Sequence, residues 1–453
     1  MNTILFFAIL IGMAFAQLLL GRRASSEVHS SEDYFLGGRS LGLLTLSITI
    51  LATQLGGGAI LGAADEAYHR GWFAIFYSLG GTLGLMLLAA GVGSSFRRME
   101  LSTTAEIFEA VYGSPFLRKI AASLSIASLF FILVAQGIAT RKFFVSIGFD
   151  SSLIFLLFWL VVITYTVMGG LKAVVSTDIL QVTFIVLSFV FAFASLWWGL
   201  EANERMIDWN MLSSQENLPW SSWILMPLLF MLIEQDMGQR CFAARSASIV
   251  SFAAILAGVA LLIFSLLPVY FGLLASNLGL TVPEGGSVLL TAVTNLTNPT
   301  VATFFTCAIL MAVISTADSL INSVSSNLGC DFPIFSQKEN GEKTVQTAKV
   351  LTLIIGMSSM GLSFFFDNVV EMLVASYELS VSVLFVPVAM SVILKKPPFM
   401  AAALAMLMGG LSFLLFKVYT APIPKEVCTL IIACMAYLLG FIQNKFVMKQ
   451  KIS

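Results

Sequence analysis

Two carboxylates and two amides fall within one short stretch, Glu234, Gln235, Asp236 and Gln239, behind Pro227 and just ahead of Arg240. A second set of oxygens recurs at helical spacing. Ser315, Asp318, Ser319 and Asn322 occupy i, i+3, i+4 and i+7, so one helix face carries a stripe of hydroxyls, a carboxylate and an amide, with Thr316 alongside. Hydroxyls, carboxylates and freed backbone carbonyls are ligands for a hard monovalent cation such as Na⁺, and an Asp offsets that charge in a low dielectric. A third stretch, Gln54 followed by Leu55, Gly56, Gly57 and Gly58, can unwind at little steric cost. Asp178, Gln136, and the neighbours Tyr377 and Glu378 each interrupt an apolar run. The two His and five Cys are scattered without metal-ligand spacing, so zinc, haem and a disulfide framework are not expected.

The elements that must position these residues are set by composition. The chain has 453 residues, 58% of them hydrophobic and 11% charged, with mean hydropathy +0.94. Soluble domains carry about 25% charged residues, so this is the composition of an integral membrane protein. A net charge of −1 gives nucleic acid nothing to hold. At about 20 apolar residues per crossing, thirteen spans are expected, near 2–20, 41–63, 72–95, 118–147, 151–169, 176–199, 220–239, 248–275, 298–328, 347–366, 371–394, 399–417 and 427–444. Long continuous runs exclude a barrel, which needs short alternating segments, and leave an all-α bundle. With the N-terminus outside and the C-terminus in the cytoplasm, only Arg70, Arg141, Lys142, Arg205, Lys417 and Lys425 of the 24 Lys and Arg face outward. That is the orientation expected in a plasma (inner) membrane. Ala14, Phe15 and Ala16 make a passable cleavage box, but no basic region precedes them and Arg22 and Arg23 follow, so the first span is expected to be retained. The loops near 200–219, 276–297 and 331–346 are too short to fold alone.

Polar interruptions at membrane depth mark cavities or helix contacts. The second and seventh spans, five elements apart, are the two most interrupted. Paired breaks at corresponding places in two halves point to an inverted-repeat transporter that binds solute near the midplane. Plainer readings exist for each residue. The glycines also suit close helix packing. Asp236 also suits a cytoplasmic helix end at headgroup depth, with Arg240 beyond it, and Glu234 lies deeper. Asp178 also suits a capping acid just inside the sixth span, and Gln136 an interhelical hydrogen bond. Ser and Thr can bond back to their own helix, which leaves Asp318 unexplained.

Taken together, the segments resemble the sodium:solute symporter family over nearly the whole chain. The resemblance rests on Asp33 to Arg39, Gly169 to Asp178 with Gln181, Gln239 and Arg240 with Ala243 and Ala244, and Ser315 to Ser319. It implies a leucine-transporter-like 5+5 inverted repeat, with a leading helix and loop in 1–40, repeats in 41–199 and 200–394, and two trailing helices in 395–453. It also implies a main Na⁺ site from the carbonyls of Ala52, Leu55 and Ala312 and the hydroxyls of Ser315 and Thr316. A second cation site would take Asp178, Ser315, Asp318 and Ser319. In the second span the nearest resemblance is to the choline-transporter branch, which places aromatics where this chain has Gln54 and Glu234. Glu there suits a hydroxyl-rich solute or an amine.

The expected activity is Na⁺-driven import of a small polar organic solute, such as a sugar, amine, amino acid or carboxylate, by alternating access. The expected solute contacts are Gln54, Gly56, Gly57, Gln136, Glu234, Gln235, Asp236, Tyr377 and Glu378. H⁺ coupling through Asp178 and Asp318, or a non-transporting solute sensor, are the nearest alternatives. An enzyme is not expected, since no His lies in the bundle to serve as a base, and no obligate protein partner is evident.

Overall fold

A computed structural model describes residues 2–149, 151–199, 219–332, 341–394, 396–419 and 423–450. Arg205, Lys395 and most of the loop around 200–219 lie outside the described residues. Among the described residues the regular elements are helical, and the β pairing is one isolated bridge between Leu41 and Ala244. Local sequence starts several helices where hydropathy places them. Pro115 and Pro299 occupy the first turns of Pro115–Ser146 and Pro299–Asp331, where a missing N–H costs nothing, while Ser114 and Asn298 cap those turns with their side chains. Nine helices among the described residues are long and apolar enough to cross a membrane.

Two expected spans instead come in pieces. The second runs as Leu43–Gln54, opens at residues 55–57, makes one wide π-helical turn at Gly58–Gly62 and ends as Ala63–Arg70. The seventh runs through Ser221–Leu225 and Met226–Phe230, loses helical form near 231–234, and restarts as Gln235–Ala243. The fifth and sixth spans, expected to be separated by residues 170–175, meet directly in Ser152–Gly199 at Gly170. Its backbone (φ 57°, ψ −145°) is open only to glycine, and a Cβ there would strike the Tyr34 carbonyl.

The serine-rich helix, Pro299–Asp331, lies at the centre. It packs on Ser152–Gly199, Pro115–Ser146, Leu43–Gln54 and the leading helix Thr3–Ser26, and every side chain from Phe305 to Asn327 is buried. Its polar stripe therefore faces protein. The lipid side is carried by exposed apolar side chains such as Leu160, Phe191, Ile263 and Leu414, the reverse of a soluble fold.

The Asp33–Arg39 segment ties the ends of these elements together. Burial pushes the Asp33 carboxyl up, but hydrogen bonds from Ser30 and the His29 amide and the nearby Lys172 outweigh it and hold the group below its usual range. Arg39 bonds Glu32 and the carbonyls of Phe242 and Glu100. Beside it the Leu41 amide donates to Ala243 O at 3.2 Å and Leu41 O accepts from the Arg245 amide at 2.9 Å. The start of one broken span is thereby joined to the end of the other.

Candidate functional site

A cavity of about 40 Å³ lies between the two breaks. Of the expected solute contacts, Gln54, Gly56, Gln136, Glu234, Asp236 and Tyr377 line it, with Thr53, Tyr77, Ser78 and Thr316. Gln136 also accepts the Gly57 amide at 2.8 Å, so it satisfies a donor that the break has freed. Gly56 is required by close approach, because a Cβ there would sit 2.5 Å from Thr316 Oγ1. The Tyr77 and Tyr377 hydroxyls meet at 2.9 Å with their rings stacked, and Phe230 packs on Tyr377 at 4.5 Å between centroids.

Two expected contacts point elsewhere. Gln235 Oε1 accepts the Thr104 amide at 2.7 Å and its hydroxyl at 3.1 Å, since one residue along a helix turns a side chain by about 100° from Asp236. Glu378 accepts from Lys425 at 2.8 Å, facing the trailing helix, while Tyr377 beside it faces the cavity. Asp236 is fully buried, as is Arg240, so neither lies at a headgroup-exposed helix end.

The oxygens between Leu43–Gln54 and the serine-rich helix are close together. Ser315 Oγ lies 3.0 Å from Ala52 O and 2.9 Å from Ala312 O. Thr316 Oγ1 donates to Thr53 O at 2.7 Å, a carbonyl absent from the expected set. Leu55 follows at the helix end, where the backbone leaves α geometry (ψ 35°). Carbonyls and hydroxyls gathered this closely, without a carboxylate, fit the donor preference of a hard monovalent cation.

A second polar group lies one turn along the same two helices, at Thr49 and Ser319. Asp178 is two turns into its helix segment after Gly170, beyond the reach of a capping role, and is fully buried. Its Oδ2 accepts from the Thr49 hydroxyl and lies 3.7 Å from Arg240 Nη2. Asp318 Oδ2 accepts from Tyr165 at 2.8 Å. Arg240 donates to Ser319 Oγ at 2.6 Å and to Thr49 Oγ1 at 3.1 Å. Asp178 Oδ1, Asp318 Oδ1 and both polar atoms of the Asn322 side chain are buried without a hydrogen-bond partner. The unpartnered carboxylate oxygens fit a cation as well as a proton.

Arg240, Thr49, Tyr165, Tyr77 and Ser78 were not among the expected site residues. A faint signal exists for Arg240, a lone cation followed by the apolar Cys241, Phe242, Ala243 and Ala244.

The model of the sodium:solute symporter family matches residues 34–409. Among curated relatives, the human high affinity choline transporter 1 is 24% identical over 80% of this chain and 67% of its own length. The chain thus spans about two thirds of that transporter. The sodium/sialic acid symporter SiaT of Proteus mirabilis (strain HI4320) is 24% identical over 78% of this chain and 76% of its own. Among solved structures, a Na⁺-coupled sialic acid symporter in a substrate-bound, outward-open state aligns over 96% of both chains with TM-score 0.78 at 18% identity. The fold is the leucine-transporter-like one.

Proposed function

The chain belongs to the sodium:solute symporter family, and from that premise we propose that it is a Na⁺-coupled symporter importing a small polar organic solute by alternating access. The observation that carries this reading is a shared wall. Thr316 lines the cavity, and its neighbour Ser315 holds the Ala52 and Ala312 carbonyls. Na⁺ held by the carbonyls of Ala52, Leu55 and Ala312 with Ser315 and Thr316 would fix Thr316 and the Gly56 backbone against it, shaping the solute cavity. Differential binding of this kind shifts the population toward a solute-competent state.

In the proposed cycle Na⁺ and solute enter from outside, the breaks at 55–57 and 231–234 close round the solute, and rocking of one bundle exposes both to the cytoplasm. Asp178, Asp318 and Ser319 would supply a second cation site or a proton relay. The proposed frame is thirteen spans, N-terminus outside, in a plasma (inner) membrane, with repeats in 41–199 and 200–394. Sialic acid and choline are what the named relatives carry, and both are probes for this chain. The test is uptake into proteoliposomes with and without an inward Na⁺ gradient. Uptake indifferent to the gradient rejects the proposal. Binding must also be reciprocal, Na⁺ and solute tightening each other by one common factor.

A further inference from the structure

Glu234 is 6% and Asp236 0% exposed, and both line the cavity. Three of their four carboxylate oxygens, Glu234 Oε2 and both of Asp236, have no hydrogen-bond partner. The two carboxyl groups lie within hydrogen-bonding reach of each other. The nearby cation is within coulombic range of both but makes no side-chain hydrogen bond to either: Arg240 reaches Thr49, Ser319 and the backbone carbonyl of Asp236, and its ion pair is with Asp178. The N-terminus of Gln235–Ala243 supplies a partial positive charge, too little for two carboxylates in contact at low dielectric. The unpartnered oxygens at the cavity are the chemistry that binds a cationic group.

We infer that the solute is a small protonated primary amine whose ammonium group sits between Glu234 and Asp236; this deepens the symport reading and rests on it. An ammonium offers three N–H donors, one for each unpaired oxygen. A quaternary ammonium offers none and leaves three buried acceptors unmet. A carboxylate solute brings a further negative charge to the same place. Ser78 Oγ, also buried and unpaired, lines the cavity and can meet a hydroxyl on the solute. The volume of about 40 Å³ holds about three water-sized groups at roughly 10–15 Å³ each, the size of a short aminoalkyl chain. Charge balance around the breaks agrees. Asp178, Glu234, Asp236 and Asp318 lie buried near Arg240, the one buried Lys or Arg among the described residues, so co-transported Na⁺ still leaves a deficit that a cationic solute fills.

The experiment is thermal unfolding of the purified protein, in Na⁺ and in K⁺, with ethylamine, ethanolamine, choline or N-acetylneuraminate. Ethanolamine and choline share a hydroxyethyl skeleton and differ in N–H. The expected result is stabilisation by ethanolamine or ethylamine in Na⁺ at concentrations at least about tenfold below choline, with N-acetylneuraminate inert. Glu234→Gln and Asp236→Asn should each raise the amine concentration required by about tenfold or more while the Na⁺ stabilisation persists. Choline or N-acetylneuraminate outperforming the primary amines overturns the inference, as do both variants responding like the unmodified protein. Na⁺ stabilisation with both primary amines inert between about pH 6 and 9 means that the carboxyl pair keeps a shared proton, which overturns the inference and leaves symport standing. Amine stabilisation equal in Na⁺ and K⁺ supports the amine and rejects Na⁺ coupling.

Discussion

Two buried acidic pairs lie near the broken spans, and the protein treats them differently. Asp178 and Asp318 come from two different helices; Thr49, Tyr165 and the guanidinium of Arg240 engage one oxygen of each, and the other oxygen of each has no hydrogen-bond partner. Glu234 and Asp236 come from one helix break, border a cavity, and keep three oxygens without partners. Both pairs are buried, so the difference lies in what surrounds them: protein side chains for one, the cavity for the other. A pair engaged by side chains of several helices holds those helices in place. A pair left open depends on what enters the cavity, and its cost is recovered only when something does.

That contrast can be broken first at Arg240. Arg240→Met strands Asp178 without a cation and should cost about 3–5 kcal/mol, read as a large fall in unfolding temperature, whereas Glu234→Gln removes an uncompensated charge and should leave stability within about 1 kcal/mol of the parent or above it. Equal losses in the two variants would end the distinction. Tyr165→Phe removes the side-chain hydrogen bond to Asp318 and should cost about 1–3 kcal/mol, measured in denaturant titrations with Na⁺ present and absent. A loss that vanishes in Na⁺ would place a cation at Asp318. Thr316→Ala should raise the Na⁺ concentration for half-maximal stabilisation about tenfold, or about 1.4 kcal/mol, with expression unchanged; an unaltered Na⁺ curve rejects the proposed main site. Smallest is Glu378→Gln. The Lys425 side chain that it pairs with is 43% exposed, so the change should cost about 0–1 kcal/mol and leave uptake within about twofold, while a change in solute preference would return Glu378 to the site.

Much of this was written in residue types. Three consecutive glycines after Gln54, and an acid cluster after Pro227, mark breaks because an apolar span has no other use for them. The serine stripe identified its helix as internal, and burial of all of Phe305–Asn327 follows from it. What sequence hid was direction. Gln235 and Asp236 are adjacent, as are Tyr377 and Glu378, and which of each pair meets the cavity depends on Thr104 and Lys425, placed by distant parts of the chain. Arg240 misled for a related reason. A cation near the end of an apolar run reads as an interfacial anchor, and only the fold brings Asp178, Thr49 and Ser319 around it. Capping stayed open as a plainer reading of Asp178, beside a cation site, because nothing in the sequence says that Gly170 lets the sixth helix begin at once.

The stitch at Leu41 has one more consequence. Two backbone hydrogen bonds, to Ala243 O and from the Arg245 amide, join the start of one broken span to the end of the other, so neither can swing at that end without carrying its counterpart or letting both bonds go. The Leu41 and Arg245 amides are therefore clocks. If the spans travel as one lever, both amides stay shielded from deuterium throughout turnover; if the spans part, the two exchange together, at a rate that reports each separation directly.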